Sequence, residues 1–474
     1  MRCVAPVLAG IGLVAVTTAP AAGAKRIGPI DLVSQAGIRI VGEAASDRVG
    51  WAVARAGDVN GDRRMDVIIG APSAANNERD SSGSAYVVFG KRSAATIDLA
   101  SLSGGGFRID GASEGDNAGF AVSTAGDVNG DGLADVVVGA PEADNNFREQ
   151  SGSAYVVFGQ RTSAPVDLSA LGARGFRIDG ASSSEFAGWS VADAGDVNGD
   201  KRRDVLVGAP FAASDELDLA PEGFERSQAG SLYVVFGQAG AANVDLAALG
   251  NRGFRIDGPE QVSRVGWSTA RAGDVNRDGR ADVLVGAPFT SNNERAFSGS
   301  AYVVFGKSSP DTVDLASLGQ RGLQIDGDAE GEIVFGGVGW SASGPGDVNG
   351  DGRADVLIGA TAADANRRED SGSAYVVFGR GAGRVDLAAL RGGGFRIDGA
   401  AEFDYAASSV AGGGDLNGDG RADVIVSAEQ ADQNGRADSG SVYVVFGKRS
   451  ASTVDLAKLG ERGLRLDGAA ADDL

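Results

Sequence analysis

One pentapeptide, Tyr-Val-Val-Phe-Gly, begins at Tyr86, Tyr155, Tyr233, Tyr302, Tyr375 and Tyr443, at spacings of 69, 78, 69, 73 and 68 residues. A second signature, Gly-Asp-(Val/Leu)-Asn, begins at Gly57, Gly126, Gly195, Gly273, Gly346 and Gly414 and keeps step with the first. Six units of about 70 residues therefore fill the chain, which must fold as six copies of one supersecondary element. The long spacings come from an insertion around Asp215 to Arg226 and from extra residues around Gly331 to Gly337. Both lie between strand-like runs, where a loop can grow without harming a core.

Each unit holds four short strand-like runs separated by Gly, Asn, Asp or Ser clusters, the pattern of an all-β chain. In the second unit these are Phe120-Ala-Val-Ser-Thr, Asp135-Val-Val-Val-Gly, Ala154-Tyr-Val-Val-Phe and Phe176-Arg-Ile-Asp. The second and third are apolar on both faces, as strands inside a sandwiched sheet must be. The fourth alternates, with Phe176 and Ile178 on one face and Arg177 and Asp179 on the other, which suits a charged outer edge. Four-stranded sheets repeated radially, with a glycine-rich strand nearest the axis, make a β-propeller. A parallel β-helix is the alternative, but its repeats are usually far shorter. The units run approximately over 43–111, 112–180, 181–258, 259–327, 328–399 and 400–468, within a propeller spanning 25–474.

Between the first and second runs lies Asp127-Val-Asn129-Gly-Asp131-Gly-Leu-Ala-Asp135, with oxygen side chains at positions 1, 3, 5 and 9. Calcium takes six to eight oxygen ligands, and four side chains plus the carbonyl at position 7 supply most of them. An Asn-Gly or Asp-Gly hairpin turn is the plainer reading. A turn needs only two of these residues, whereas all four positions hold in every unit. They recur as Asp58, Asn60, Asp62 and Asp66; Asp196, Asn198, Asp200 and Asp204; and Asp274, Asn276, Asp278 and Asp282. Asp347, Asn349, Asp351 and Asp355, then Asp415, Asn417, Asp419 and Asp423, complete the set. Up to six Ca2+ ions are expected. The glycine at position 6 stands at Gly132, Gly279, Gly352 and Gly420, but Arg63 and Lys201 replace it in the first and third loops, which should bind more weakly.

These loops place 18 carboxylates in a chain of net charge -21, so six divalent ions would relieve most of its self-repulsion. Such an acidic chain repels a phosphate backbone, which argues against nucleic acid as a partner. Histidine is absent, which removes Ser-His-Asp and Cys-His chemistry and histidine-ligated zinc. Glycine supplies 75 residues without a Gly-X-Y period, and 43 % of the chain is hydrophobic, so collagen and disorder are excluded. Residues 1–24 read as a secretory signal peptide: Arg2, an apolar run from Val4 to Val16, and small residues Ala22-Gly23-Ala24, with cleavage after about Ala24. A membrane anchor is the alternative for that segment. The single cysteine, Cys3, falls inside it, so the mature chain would carry no disulfide.

The calcium loop followed by Gly-Ala-Pro at Gly70, Gly139, Gly208 and Gly286 resembles the FG-GAP repeats of the integrin alpha-subunit propeller, found also in bacterial secreted proteins and in a phospholipase D acting on glycosylphosphatidylinositol anchors. The resemblance covers roughly Gly37 to Gly468. It departs where Val49-Gly50 and Ala187-Gly188 replace Phe-Gly, although aromatics follow at Trp51, Phe120, Trp189, Trp267 and Trp340. The fifth and sixth units read Gly359-Ala360-Thr361 and Ser427-Ala428-Glu429, and Ser408 takes the aromatic place, so those blades are expected to pack less tightly. The resemblance implies calcium at one end of the propeller and ligands at the other.

The outer-strand run occurs seven times, from Ile38-Arg-Ile to Leu464-Arg-Leu, and the other runs six times. The chain is either a six-bladed ring with a spare end strand or a shortened seven-bladed ring. In a six-bladed ring the strands near Ile38 and Leu464 would compete for one edge of the last blade. The leading functional reading is a secreted, non-catalytic, monomeric adhesion or interaction module with a protein or glycan ligand opposite the calcium loops and no membrane span in the mature chain. Against it stand a lectin-like propeller and a carboxylate-based glycan-active enzyme, the latter needing a carboxylate pair that occurs once rather than in every unit.

Overall fold

The computed structural model describes residues 30–31, 38–93, 95–213, 228–329 and 337–471. The expected leader at 1–24, the insertion at 215–226 and the extra segment at 331–336 lie outside the described residues. The rest is all-β, with short 3-10 turns and no α-helix among the described residues. The first blade shows the plan. Strands β3 (Ala52–Gly57), β4 (Asp66–Ala71), β5 (Ser84–Val88) and β7 (Gly106–Asp110) form an antiparallel meander, and the same meander recurs in six blades.

Each blade carries a fifth strand that the sequence did not announce. Val166–Asp167, from the second repeat, pairs in parallel with β7 of the first blade, and equivalent Val-Asp segments do the same around the molecule. The Phe-Arg-Ile-Asp strand is therefore not the outer edge. Its Phe and Ile are buried as expected, and Arg177 turns back onto Asp179. The aspartate that ends each short strand caps a 3-10 turn, as Asp167 does by accepting from the Ser169 N–H, and the next leucine is buried. Arg79 and Arg148, from earlier loops, hold Asp167 and Asp245 at 3.0 and 2.8 Å.

The core lies between blades. Ile68, Val87, Phe107 and Ile109 of the first blade pack with Val136, Val138, Tyr155 and Val157 of the second, and four more such clusters follow. Glycine permits the close approach. A Cβ on Gly139 would stand 2.0 Å from the Gly188 carbonyl of the next blade, and Gly70, Gly208, Gly286 and Gly359 face their neighbours in the same way. That explains Gly-Ala-Pro.

The sixth blade breaks the pattern. Ser427 stands where the others have glycine, and its hydroxyl bonds Ser408 at 2.9 Å. Gly57, Gly126, Gly195, Gly273 and Gly346 each meet a side chain of the following blade, but Gly414 meets nothing within 4 Å. The innermost strands neighbour one another in sequence order from the first blade to the sixth, but no comparable contact joins Val410–Gly414 to β3. The second strands of the fifth and sixth blades, Asp355–Ala360 and Asp423–Ala428, are nevertheless both buried along their whole length, so loss of the proline exposes neither.

The terminal strands do not compete. Gly463–Asp467 is the fourth strand of the sixth blade, and β1 (Ile30–Asp31) pairs with it in parallel as its fifth. β2 (Ile38–Val41) pairs instead with β6 (Ala95–Asp98), and Ile38 and Ile40 pack on Ile69, Tyr86 and Val88 of the first blade. The propeller thus has six complete blades, with one extra outer strand placed between the sixth and the first. Gly139→Ala is expected to destabilise the chain by about 3 kcal/mol through overpacking against a backbone carbonyl. Ser427→Ala, with no blade above it, should lose only its hydrogen bonds, about 1 to 2 kcal/mol. Chemical denaturation of both variants gives the comparison, and equal losses would show that the interblade approach is slack.

Candidate metal centres

All six acidic loops join the innermost strand of a blade to the second, so they share one end of the propeller. Five share one local backbone structure, and the fourth, with Arg277 at position 4, keeps all of its bonds but the one from the position-4 N–H to the first aspartate. In the second loop Asp127 accepts through Oδ1 from the Gly130 and Asp131 N–H groups at 2.7 and 3.0 Å, and through Oδ2 from Gly132 at 2.9 Å. Asn129 Oδ1 accepts from the Asp131 N–H at 2.7 Å, and Asp131 Oδ1 from Leu133 at 2.9 Å. Positions 1, 3 and 5 are thereby gathered into one nest of side chain to backbone bonds.

Position 9 sits beneath. Asp135 is fully buried, and its carboxylate takes the Val128 N–H at 2.9 Å and the Gly159 N–H at 2.8 Å. Gly159 closes Tyr-Val-Val-Phe-Gly, and Gly90, Gly237, Gly306, Gly379 and Gly447 serve the same purpose for Asp66, Asp204, Asp282, Asp355 and Asp423. The two repeated signatures are therefore physically joined: the pentapeptide glycine fastens the loop's last aspartate. Burial pushes the position-9 carboxyl up, to about 6 in Asp66 and about 7 in Asp135, and the nearby position-5 aspartate adds to the rise.

The donor set suits a hard divalent cation, being oxygen only, with three carboxylates and one amide per loop. Among the described residues, however, no three of these carboxylates converge on a common point at metal-binding distance. The loops also touch in succession. The Asp58 carbonyl accepts from Ala134 at 3.0 Å, and Asp127, Asp196, Asp274 and Asp347 accept from the next loop likewise. Val59, Val128, Val197, Val275 and Val348 at position 2 are buried, whereas Leu416 is half-buried.

Position 6 takes a left-handed backbone everywhere: φ is 87° at Gly132 and 84° at Gly420, but also 66° at Arg63 and 73° at Lys201. The sequence-level suspicion about those two loops has a geometric basis. Position 4 carries the same demand and was missed. Gly130 there has φ 80°, and in the fourth loop Arg277 has φ 65°. The recurrence of glycine at position 4 in the other five loops was the available signal. Arg277 gains some compensation, since its guanidinium reaches the Asp351 and Gly352 carbonyls of the next loop. In the first loop Arg64 also occupies Asp62 Oδ2 at 3.1 Å.

The other end of each innermost strand carries aromatics. Trp51, Phe120, Trp189, Trp267 and Trp340 follow one another with ring centroids 5.7, 4.9, 5.2 and 5.2 Å apart, an arc that stops at Ser408. Phe147, on a loop at that same end, is fully exposed.

The blades, their glycines and the acidic loops together define a recognised class of β-propeller, and comparison with known proteins agrees. The FG-GAP repeat profile matches residues 49–88, 118–157, 187–235, 265–304, 339–377 and 406–445, more than half of the chain. The chain belongs to the FG-GAP repeat family. It is 30 % identical over 251 residues to integrin alpha pat-2 of Caenorhabditis elegans, covering 52 % of this chain and 18 % of that one. To the phosphatidylinositol-glycan-specific phospholipase D of Mus musculus it is 28 % identical over 252 residues, 52 % of this chain and 27 % of that enzyme. Integrin alpha-V of Gallus gallus is 27 % identical over 246 residues, again 52 % of this chain and 20 % of its own length. The match thus spans about a quarter or less of each relative. No helix among the described residues is long and apolar enough to cross a membrane.

Relieving the left-handed strain at position 6 should stabilise the fold. Arg63→Gly and Lys201→Gly are each expected to add about 1 kcal/mol, since an L residue is strained there by roughly 1 to 2 kcal/mol and glycine recovers part of it. Denaturant midpoints of the two variants test this, and a fall in either would show that the side chain is worth more than the strain.

Proposed function

We propose that this chain is a secreted, calcium-stabilised propeller that acts as a non-catalytic adhesion or protein-interaction module. The observation that carries the reading is the sixfold recurrence of one oxygen-donor loop, its position-5 and position-6 N–H groups bonded to the first aspartate in every copy. Asp, Asn, Asp and Asp at positions 1, 3, 5 and 9 would supply the ligands, and the ion would offset the charge of three carboxylates crowded into nine residues. Secretion rests on the character of residues 1–24. A partner is assigned to the end opposite the loops, where Phe147 is fully exposed and Trp51, Phe120 and Trp189 are half-buried, aromatic residues of the kind enriched at interface cores.

An enzymatic reading finds no support in the site, because the clustered carboxylates repeat in every blade. The relation to a phospholipase D covers only 27 % of that protein, and no activity is carried over from it. A lectin-like propeller is the second reading, for which the half-buried Trp51, Phe120 and Trp189 at one end would supply rings to stack on sugar faces.

Sites in the weak extracellular range, with dissociation constants near 0.1 to 1 mM, would each add roughly 0.4 to 1.4 kcal/mol at about 1 mM calcium. Six together are comparable with a domain's whole stability. The melting temperature should rise by many degrees between chelator and millimolar calcium, with magnesium a poor substitute. Asp131→Ala should reduce that rise more than Asp62→Ala, whose loop carries Arg63 and Arg64. An unchanged midpoint on adding calcium would remove the metal reading.

A further inference from the structure

The first blade departs from the other five at the turn beside its acidic loop. In those five the residue after Tyr-Val-Val-Phe-Gly spends its polar head on the local backbone. Gln160 and Gln238 donate to the Ala164 and Ala242 carbonyls at 2.8 and 2.7 Å, Lys307 and Lys448 to the Asp311 and Ser452 carbonyls, and Arg380 to the Gly393 carbonyl at 2.7 Å. Lys91 holds the same place in the first blade and has no hydrogen-bond or ion-pair partner among the described residues. The residue before the fourth strand differs too. Arg174, Arg252, Arg321 and Arg462 each donate to a carbonyl of the turn, and in the fifth blade Arg380 lies over Gly393 instead. The first blade has Gly105 there, preceded by Gly104, where a Cβ would meet nothing within 4 Å. A cavity of about 500 Å3 results, bounded by the first acidic loop, this glycine turn and residues of the second blade.

Four unengaged donors meet in it. Lys91 is the first, its Nζ 3.5 Å from where a Cβ on Gly105 would stand. Arg161 of the second blade reaches over the first loop, with Nη1 3.0 Å from the Cβ position of Gly61, and it too lacks a partner among the described residues. Ser163 brings a hydroxyl to the same wall. Asn60 is the fourth. In the other five loops the position-3 amide nitrogen donates to the position-5 carboxylate, but here Arg64 holds Asp62 Oδ2 at 3.1 Å and Asn60 Nδ2 is left over. Arg64 and Asp62 neutralise each other, so the lining keeps the charge of Lys91 and Arg161, in a chain of net charge -21. Asp58 and Asp66 turn their oxygens onto backbone N–H groups of the loop and of Gly90.

We infer that this cavity binds a small molecule carrying a sulfate or phosphate monoester, the oxyanion held by Lys91, Arg161, Asn60 and Ser163 and the body of the molecule set beside Phe89. An ammonium and a guanidinium make charge-assisted bonds to such an oxyanion, and the guanidinium fork matches two of its oxygens at once. A bare ion would fill only a small part of the space, whose volume is that of sites enclosing a whole small molecule, roughly 300 to 1,000 Å3. A long polyanion is disfavoured, because the surface beyond the cavity is acidic. Lys91 and Arg161 lie outside the nine-residue loops and away from the aromatic end. The inference therefore stands apart from both the calcium and the partner readings.

The test titrates the full chain calorimetrically, at millimolar calcium and fixed ionic strength, with glucose 6-sulfate, glucose 6-phosphate, inorganic sulfate and glucose. Saturable one-to-one binding of an ester is expected, and the tighter of the two names the oxyanion. Lys91→Gln, the residue of the second and third blades, and Arg161→Ala, as at Ala239 of the third, should each weaken it about tenfold, the worth of one charge-assisted bond. Neither side chain has a partner to lose, so both variants should melt with the parent. Arg92→Ala removes an exposed cation next to Lys91 but outside the lining, and should leave the affinity nearly unchanged. Absence of saturable binding by either ester overturns the inference. So does inorganic sulfate or glucose binding as tightly as the esters, and so does an Arg92→Ala loss equal to that of Lys91→Gln, the mark of diffuse attraction rather than a site.

Discussion

Everything in this propeller depends on how closely one sheet can approach the next. A glycine on the second strand of each of the first five blades lets a backbone carbonyl of the following blade come within 2.0 to 2.3 Å of where a Cβ would stand. At that distance the apolar side chains on either side interdigitate, and Tyr155 or Phe176 can be almost wholly buried in an interface made from two thin sheets. Repeat architectures are stabilised by nearest-neighbour interfaces more than by the units themselves. Here the unit is a meander that could not bury both of its faces alone, and five successive contacts give the arc its rigidity.

The acidic loops inherit their order from that packing. Each is anchored below by a buried aspartate tied to the end of the third strand, and the first five are held laterally by a hydrogen bond from the next loop. Loop shape is therefore set before any ion is considered. The backbone strain at Arg63, Lys201 and Arg277 follows from the same fact: the fold imposes a left-handed conformation at positions 4 and 6, and side chains that dislike it must accept it.

Much of this was legible in the sequence because it was written six times. Repetition separated Asp127, Asn129, Asp131 and Asp135 from an ordinary turn, and the doubly apolar Asp135–Ala140 and Ser153–Val157 strands are buried throughout, as their composition demands. What escaped has physical reasons. A strand of two residues, Val166–Asp167, is too short for any periodicity, and its aspartate reads equally well as a turn cap. The need at position 4 was hidden by glycine itself, which fits any conformation. Ser427 looked like a defect of the sixth repeat and is instead the position over which, among the described residues, no further blade lies. The fate of the seventh outer strand could not be read from counting, since Ile38–Val41 and Leu464–Leu466 have similar patterns and only pairing tells them apart.

The parallel pairing of Ile30–Asp31 with Leu466–Asp467 joins residues more than four hundred positions apart. All other strand partners come from the same repeat or an adjacent one. During synthesis each blade can therefore form and dock on its predecessor as it emerges, a local process that is fast for its size. β1 is the exception. Among the described strands it is made first and its partner last, so it waits for that partner through the growth of these six blades. Formation of the sixth blade is thus registered in a single short ladder, and a molecule stalled before Gly463–Asp467 would leave Ile30–Asp31 without that partner.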